Sequence, residues 1–192
     1  MKKLFTLGIL LCSIFTASAS LNYFDIYLQK AREGDTEGMY ALGLLYYTGK
    51  DYLPKDAERA CQWFKVAANR GNASAMMFLG VSYYLGTGVS VNKDKALEWL
   101  QKSADLGNHY SFFWLGECYN AKGNYKNAFD YYVRSLKAGD TAACHALKSF
   151  YKLGIYVEAD NAKVEKIQKI SDLHSNDMDR EAMAIVHELF GY

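Results

Sequence analysis

The stretch that decides the fold runs from Gly34 to Gly49 and reads GDTEGMYALGLLYYTG. Related stretches begin at Gly71, Gly107 and Gly139 and read GNASAMMFLGVSYYLG, GNHYSFFWLGECYNAK and GDTAACHALKSFYKLG. Their first glycines are separated by 37, 36 and 32 residues. A period in this range is typical of stacked helical hairpins, in which each hairpin covers the apolar face of its neighbour. The sequence therefore predicts four helical repeats.

Within each copy, positions four residues apart carry the same kinds of side chain, which marks one face of an α-helix. A small residue, a leucine and a tyrosine follow the opening glycine at the fourth, eighth and twelfth places, as in Gly38, Leu42 and Tyr46. Glycine recurs at the ninth place in three copies: Gly43, Gly80 and Gly116. Because glycine in a helix costs up to about 1 kcal/mol relative to alanine, this recurrence indicates a helix crossing with no room for a side chain. The fourth copy has Lys148 there, and we expect that repeat to pack more loosely.

A second amphipathic segment follows each copy. We predict second helices over 55–70, 93–106, 124–138 and 160–173, the first three ended by the next opening glycine in the left-handed conformation. Pro54 is expected in the first turn of the first of them. The predicted fold is all-α: an α-solenoid with repeats at 34–70, 71–106, 107–138 and 139–173. Capping helices at 22–33 and 178–190 complete a single domain over 20–192.

Residues 1–19 have the pattern of a secretory signal peptide. Lys2 and Lys3 precede a short apolar run, and Ala17-Ser18-Ala19 fits a small-x-small cleavage site. A lipoprotein reading of Cys12 is disfavoured, since Leu11 stands where such signals place a small residue. We expect an exported protein, periplasmic or secreted, of bacterial origin.

The charge balance argues against nucleic acid as a ligand. The chain has 22 Lys and Arg against 21 Asp and Glu, and loss of Lys2 and Lys3 leaves 20 against 21, a net charge of −1. No basic run accompanies this balance, so an electrostatic footprint for phosphates is missing. After signal cleavage no membrane insertion is expected, because no second apolar segment is long enough to cross a bilayer.

The strings ALGLLYYTG and FLGVSYYLGTGVSVNKDKALEWLQKSADLGN resemble the Sel-one-like repeat family, relatives of the tetratricopeptide repeats with a longer loop between the helices. The likeness is strong over 34–106, moderate over 107–138 and weak over 139–173. The third repeat departs from it, because Lys122-Gly123-Asn124-Tyr125 shortens the interhelical loop by about four residues. The resemblance implies a right-handed solenoid that acts as an adaptor, and in bacteria many members are exported and concern the cell envelope or host contact.

Cysteine, serine and histidine are the residue types of this chain with the most potential for chemistry. Family members with paired cysteines form disulfides within a repeat and some bind or hydrolyse penicillins, but no repeat of this chain contains two cysteines. We expect Cys61, Cys118 and Cys144 to be free and buried, since the offset between the last two exceeds the reach of a disulfide. Two Ser-x-x-Lys matches, at 90–93 and 149–152, lack the Lys-Thr-Gly strand of β-lactam enzymes. His109, His145, His174 and His187 do not have the spacing of metal ligands, so no metal, cofactor or catalytic residue is predicted.

The surface expected to bind a partner lies on the first helices, which line the inner wall of such arrays. The sixth, tenth and thirteenth places after the opening glycine share one stripe. In the first three repeats the stripe, with Trp114 beside it, is apolar and aromatic. The candidate partner-binding residues are Tyr40, Leu44, Tyr47, Met77, Val81, Tyr84, Phe113, Trp114 and Glu117. Core packing of the same residues is the alternative.

These observations favour a non-catalytic adaptor that holds a protein or peptide in its concave groove. One alternative is a cell-wall enzyme or inhibitor that interacts with β-lactams. A second is structural assembly by end-to-end stacking of arrays.

Overall fold

The computed structural model describes residues 23–50, 53–175 and 179–191. Within these ranges the chain forms ten α-helices and no β-strand, which confirms the all-α prediction. The helices are α1 (Tyr23–Arg32), α2 (Thr36–Thr48), α3 (Ala57–Asn69), α4 (Ala73–Leu85), α5 (Lys93–Asp105), α6 (Ser111–Ala121), α7 (Tyr125–Lys137), α8 (Ala143–Leu153), α9 (Asn161–His174) and α10 (Asp179–Phe190). The predicted signal peptide, with Cys12, lies outside the described residues.

Eight of the helices form four consecutive hairpins. The pairs are α2 with α3, α4 with α5, α6 with α7, and α8 with α9. Each second helix also packs against the first helix of the next hairpin. At the two ends, α1 packs on α2, and α10 packs on both α9 and α7. The hairpins are therefore stacked side by side into one array with a helix at each end.

Polar side chains determine where the second helices begin. Asp56, Asn92, Asn124 and Asp160 each accept a hydrogen bond from the backbone N–H three residues further on, at 2.9 to 3.2 Å. Such caps satisfy N–H groups that have no partner inside the helix. The cap at Asp56 corrects one prediction. Because α3 begins after Asp56, Pro54 precedes the helix and does not lie in its first turn.

The opening glycines follow the ends of the preceding helices: Gly34 follows α1, and Gly71, Gly107 and Gly139 follow the second helices α3, α5 and α7, as predicted. All four have positive φ angles, between 86° and 92°. A residue with a side chain is strained in this region, which explains why glycine recurs at the junction. The short loop predicted in the third repeat is also present, since α6 ends at Ala121 and α7 begins at Tyr125.

The ninth-place glycines lie where the two helices of a hairpin cross. A Cβ atom added to Gly116 would lie 2.6 Å from the ring of Tyr132, and Gly43 and Gly80 meet Phe64 and Leu100 in the same way. The side chains of Tyr132, Phe64 and Leu100 are fully buried. The predicted crossing is therefore confirmed, because each glycine makes room for the largest core side chain of its partner helix.

Polar contacts connect neighbouring hairpins. Asn72 accepts a hydrogen bond from the N–H of Ala75 at 2.8 Å and donates one to Glu37 at 2.6 Å, so it both caps α4 and binds the previous repeat. Ser103, on α5, donates to the carbonyl oxygen of Ala73 at 2.6 Å within its own hairpin, and the side-chain amide of Asn108, in the next repeat, donates to the same oxygen at 3.4 Å. The contacts of Asn72 and Asn108 cross the boundaries between repeats, which helps to fix the orientation of one hairpin on the next.

The three cysteines of the described residues are buried and unpaired, so their predicted burial is confirmed. Burial raises the pKa of the Cys118 thiol to about 12 and that of Cys144 to about 11. Burial also raises the pKa of Cys61, whose Sγ donates to the carbonyl oxygen of Thr87 at 3.1 Å. Thiols in this state are core residues with little thiolate, and hence little reactivity, at neutral pH.

Candidate functional site

The first and second helices of the hairpins differ in how much of their surface they expose. In α4 only Leu85 is exposed, whereas α5 exposes six of its thirteen residues, all of them charged. A helix that is apolar on every side is covered on most of its circumference, and an amphipathic one faces water on its polar side. In stacked hairpins the first helices line the inner face. We call the inner faces of α2, α4, α6 and α8 the inner wall.

The structure places the nine predicted binding residues on these first helices, and eight of them are half-buried. Their side chains therefore keep some exposed surface while they also pack on their neighbours. Val81 is the exception. It is only 9% exposed and belongs to the apolar cluster with Leu100 and Leu115, so it is a core residue of the array and adds little to a surface.

Phe78 is the centre of an aromatic group at the junction of the first two repeats. The rings of Tyr40 and Tyr47 both lie 5.8 Å from that of Phe78, and Phe64 stacks on it at 5.1 Å. Offset and edge-to-face contacts of this kind add to the free energy gained by burial alone. Sequence reasoning missed Phe78. It occupies the seventh place after its opening glycine, the place that Trp114 holds in the next repeat, and that equivalence could have identified it.

A second aromatic group repeats the first one at the next junction. Tyr84 contacts Trp114 edge to face at 5.8 Å, as Tyr47 contacts Phe78 one repeat earlier. Trp114 in turn contacts Phe113 at 5.4 Å. The thirteenth place of one first helix thus pairs with the seventh place of the next. The result is two aromatic groups that follow one another along α2, α4 and α6, and we call them together the aromatic wall.

Glu117 is the acidic group of this wall. It accepts hydrogen bonds from the hydroxyl of Tyr132 at 2.6 Å and from that of Tyr84 at 3.4 Å. Burial, with the nearby carboxylate of Glu117 as a further cause, raises the pKa of Tyr84 to about 12 and also raises that of Tyr132. Both hydroxyls therefore remain donors at neutral pH. They hold the carboxylate at the inner wall between α4 and α7.

The aromatic pairing stops after the third repeat. At the corresponding places stand Asn120 of α6 and Ala146 of α8, so no ring pair forms there. In α8 the stripe continues instead with His145, Ser149 and Lys152. The inner wall consequently changes from aromatic to polar and basic along the array.

The residues considered for chemistry are not gathered into a reactive centre. The hydroxyl of Ser149 donates to the carbonyl oxygen of His145 at 3.1 Å, the usual bond of a serine within a helix. Ser90 is in an exposed loop, and the ammonium of Lys93 lies 5.6 Å from the centre of the Tyr84 ring. Among the described residues, no group of three or more His, Cys, Asp or Glu is placed to hold a metal ion. In the same part of the chain, no helix is long and apolar enough to cross a membrane.

Stacked helix–turn–helix units with crossing glycines and left-handed caps define an α-solenoid, the class of protein that uses repeats as a continuous surface. The family profile described as Sel1 repeat matches residues 36–72, 73–108 and 112–140, more than half of the chain. The protein belongs to the Sel1 repeat family. Proteins of this family generally mediate protein–protein interactions.

Solved structures have the same fold. A protective antigen present in uropathogenic Escherichia coli strains, which displays an SLR fold, aligns with a TM-score of 0.71 and 27% identity over 86% of this chain and 36% of its own. A Sel1 repeat protein from Oxalobacter formigenes aligns with a TM-score of 0.71 and 24% identity over 85% of this chain and 65% of its own. These similarities confirm the all-α solenoid predicted from the sequence.

A curated relative matches a shorter part of the chain. It is the ERAD-associated E3 ubiquitin-protein ligase component HRD3A of Arabidopsis thaliana, 37% identical over 65 residues. The match covers 34% of this chain and 10% of that protein, so the chain spans a small part of the length of this relative.

Proposed function

We propose that this protein is an exported, non-catalytic scaffold that holds a partner protein or peptide against its inner wall. The observation that carries the proposal is the aromatic wall along α2, α4 and α6. Its side chains are half-buried, which leaves exposed apolar area already fixed in position by ring contacts. Such area binds a partner at small entropic cost, because the rotamers are ordered before binding.

Three further features support this proposal. The family generally mediates protein–protein interactions, which agrees with a surface that offers contact area and hydrogen bonds. Glu117 supplies a carboxylate on α6, the last helix of the aromatic wall, so a bound peptide meets a polar group there as well as rings. The N-terminal pattern at 1–19 favours export and hence a partner in the bacterial periplasm or outside the cell.

Site-specific photocrosslinking tests the proposal in the native host. Benzoylphenylalanine, an aromatic amino acid, replaces Tyr47 or Tyr84 in the full chain, and the same replacement at Tyr110 is the control. Tyr110 is 70% exposed at the start of α6 and lies outside the stripe. We expect covalent adducts with one partner from Tyr47 and Tyr84 and none from Tyr110. Circular dichroism shows whether each variant is folded.

Adducts that form only from Tyr110 would contradict the proposal, since the partner would then bind elsewhere. The enzyme alternative is tested separately with nitrocefin. We expect no turnover by the purified chain, because the Ser149 hydroxyl is hydrogen-bonded within its helix. Turnover that the Ser149→Ala variant abolishes would support catalysis instead.

A further inference from the structure

The fourth repeat contains a cleft beside a lysine that has no counterpart in the sequences of the first three repeats. At the place where the other first helices have a crossing glycine, α8 has Lys148, and its ammonium donates a hydrogen bond to Gln168 of α9. A cleft of about 420 Å³ lies between α8 and α9 beside this pair. We call it the basic cleft.

The basic cleft continues the inner wall. His145, Ser149 and Lys152 contribute to its lining from α8, and they occupy the stripe positions that are aromatic or apolar in the earlier repeats. A peptide that lies along the aromatic wall therefore reaches this cleft as it continues over the fourth repeat. The path is set by the stacking of the hairpins.

The charges of the basic cleft favour an anion. Lys148 and Lys152 line it from α8, against one carboxylate, that of Glu165 on α9. Lys152 is exposed, and within the described residues it forms no ion pair. Lys148 is half-buried and donates to a neutral amide, that of Gln168. Two ammonium groups with hydroxyl and imidazole neighbours provide donors for an incoming carboxylate.

We propose that the basic cleft binds an aspartate or glutamate side chain of the peptide that occupies the inner wall. This inference rests on the proposed function and specifies the chemistry of its partner: an apolar or aromatic segment followed by an acidic residue. The aromatic wall supplies most of the contact area. The cleft sets the register and direction of the bound segment, because its two lysines, Lys148 and Lys152, lie together in the fourth repeat, beyond the last ring pair of the wall.

A selection from random peptides tests the inference. Each displayed peptide is fused at both ends, so that only side chains provide carboxylates. The full chain is compared with its Lys148→Gln/Lys152→Gln variant and with a control variant, Lys126→Gln/Lys169→Gln, that changes two exposed lysines outside the cleft. We expect the wild type and the control to enrich peptides with an acidic residue at a fixed distance from apolar ones. The cleft variant should keep the apolar preference and lose the acidic one.

Binding of one selected peptide gives the magnitude. Fluorescence anisotropy at 50 mM NaCl measures the binding. Replacement of the acidic residue of the peptide (Glu by Gln or Asp by Asn) should weaken binding to the wild type about fivefold and have little effect on binding to the cleft variant. Added salt should reduce the fivefold effect on the wild type. Apolar peptides selected without an acidic residue, or the same acidic residue selected by the cleft variant, would overturn this inference alone. An acidic preference that appears only when peptides have free C-termini would also overturn it, because the ligand of the cleft would then be a terminal carboxylate and not a side chain. Selected peptides that bind a Tyr84→Ala variant unchanged would overturn the inner-wall function itself.

Discussion

Substitution of Gly116 by alanine tests whether the crossing glycines are required by packing. The added Cβ would lie 2.6 Å from two carbons of the Tyr132 ring. That ring is fully buried, and its hydroxyl is held by Glu117 at 2.6 Å, so it has little freedom to move away. Overpacking of this kind costs about 1–3 kcal/mol, while alanine regains up to about 1 kcal/mol of helix propensity. We expect a net loss of about 1–2 kcal/mol in the free energy of unfolding.

Thermal unfolding followed by circular dichroism measures this loss. For a chain of this size the expected loss lowers Tm by about 2–8 °C. Lys148→Ala is the matched control, since the same place in α8 already carries a side chain, and its effect should stay within about 0.5 kcal/mol. The cost of Gly116→Ala should shrink in a Tyr132→Leu background, because the two changes share one contact. A higher Tm for Gly116→Ala alone would refute the packing argument and leave only helix propensity.

Three more predictions follow from buried polar and titratable groups. In urea titrations, Asn72→Ala should lower the free energy of unfolding by about 1–2 kcal/mol, because it removes a helix cap and a hydrogen bond to the previous repeat. Asn124→Ala, which removes only an exposed cap, is the control. A loss for Asn72→Ala no greater than that for Asn124→Ala would contradict this. Burial raises the pKa of Cys144 to about 11 and that of Cys118 to about 12. Ellman's reagent at pH 8 should therefore label these two thiols at least about a hundredfold more slowly in the native chain than in urea. Equal labelling rates would contradict their burial. The raised pKa of Tyr132 means that its neutral form stabilises the fold below about pH 10 and that this contribution is lost as pH rises through the folded-state value. Between pH 10 and 12, Tyr132→Phe should therefore lose less stability than the wild type. Identical losses would show that another group titrates.

The repeat frame is the part of the structure that the sequence alone determines best. Helix pairs, crossing glycines and left-handed glycine caps depend on spacings of a few residues. Helix geometry relates each of these spacings directly to a position on the helix or at its end. The first residue of α3 was predicted less well, since Pro54 suggested an early start and Asp56 caps the helix two residues later. The start of a helix depends on which nearby residue adopts the extended backbone of a cap. Here the choice was between Pro54, whose φ angle is restricted, and Asp56, whose side chain can accept a hydrogen bond, and residue spacing alone does not decide it.

The binding surface was only partly predictable. The stripe was identified from helical periodicity, but its half-buried state depends on contacts between repeats. Val81 is covered by neighbours that lie far away in the sequence, and Phe78 emerges only when the seventh place of one repeat is compared with the thirteenth place of the previous one. The basic cleft shows the same limit. The lysine at 148 was visible in the sequence, whereas the space beside it results from how α9 packs.

The position of α10 has a consequence for how this array could grow in evolution. A fifth hairpin would place its first helix against α8 and α9, whereas α10 turns back and rests on α7 as well as α9, with Ala182 and Val186 buried in the last core cluster. Lengthening by tandem duplication at the C-terminal end would leave that helix without its seat on α7. Duplicated units would be tolerated better between existing hairpins, where both faces of an inserted pair meet the neighbours they are built to cover.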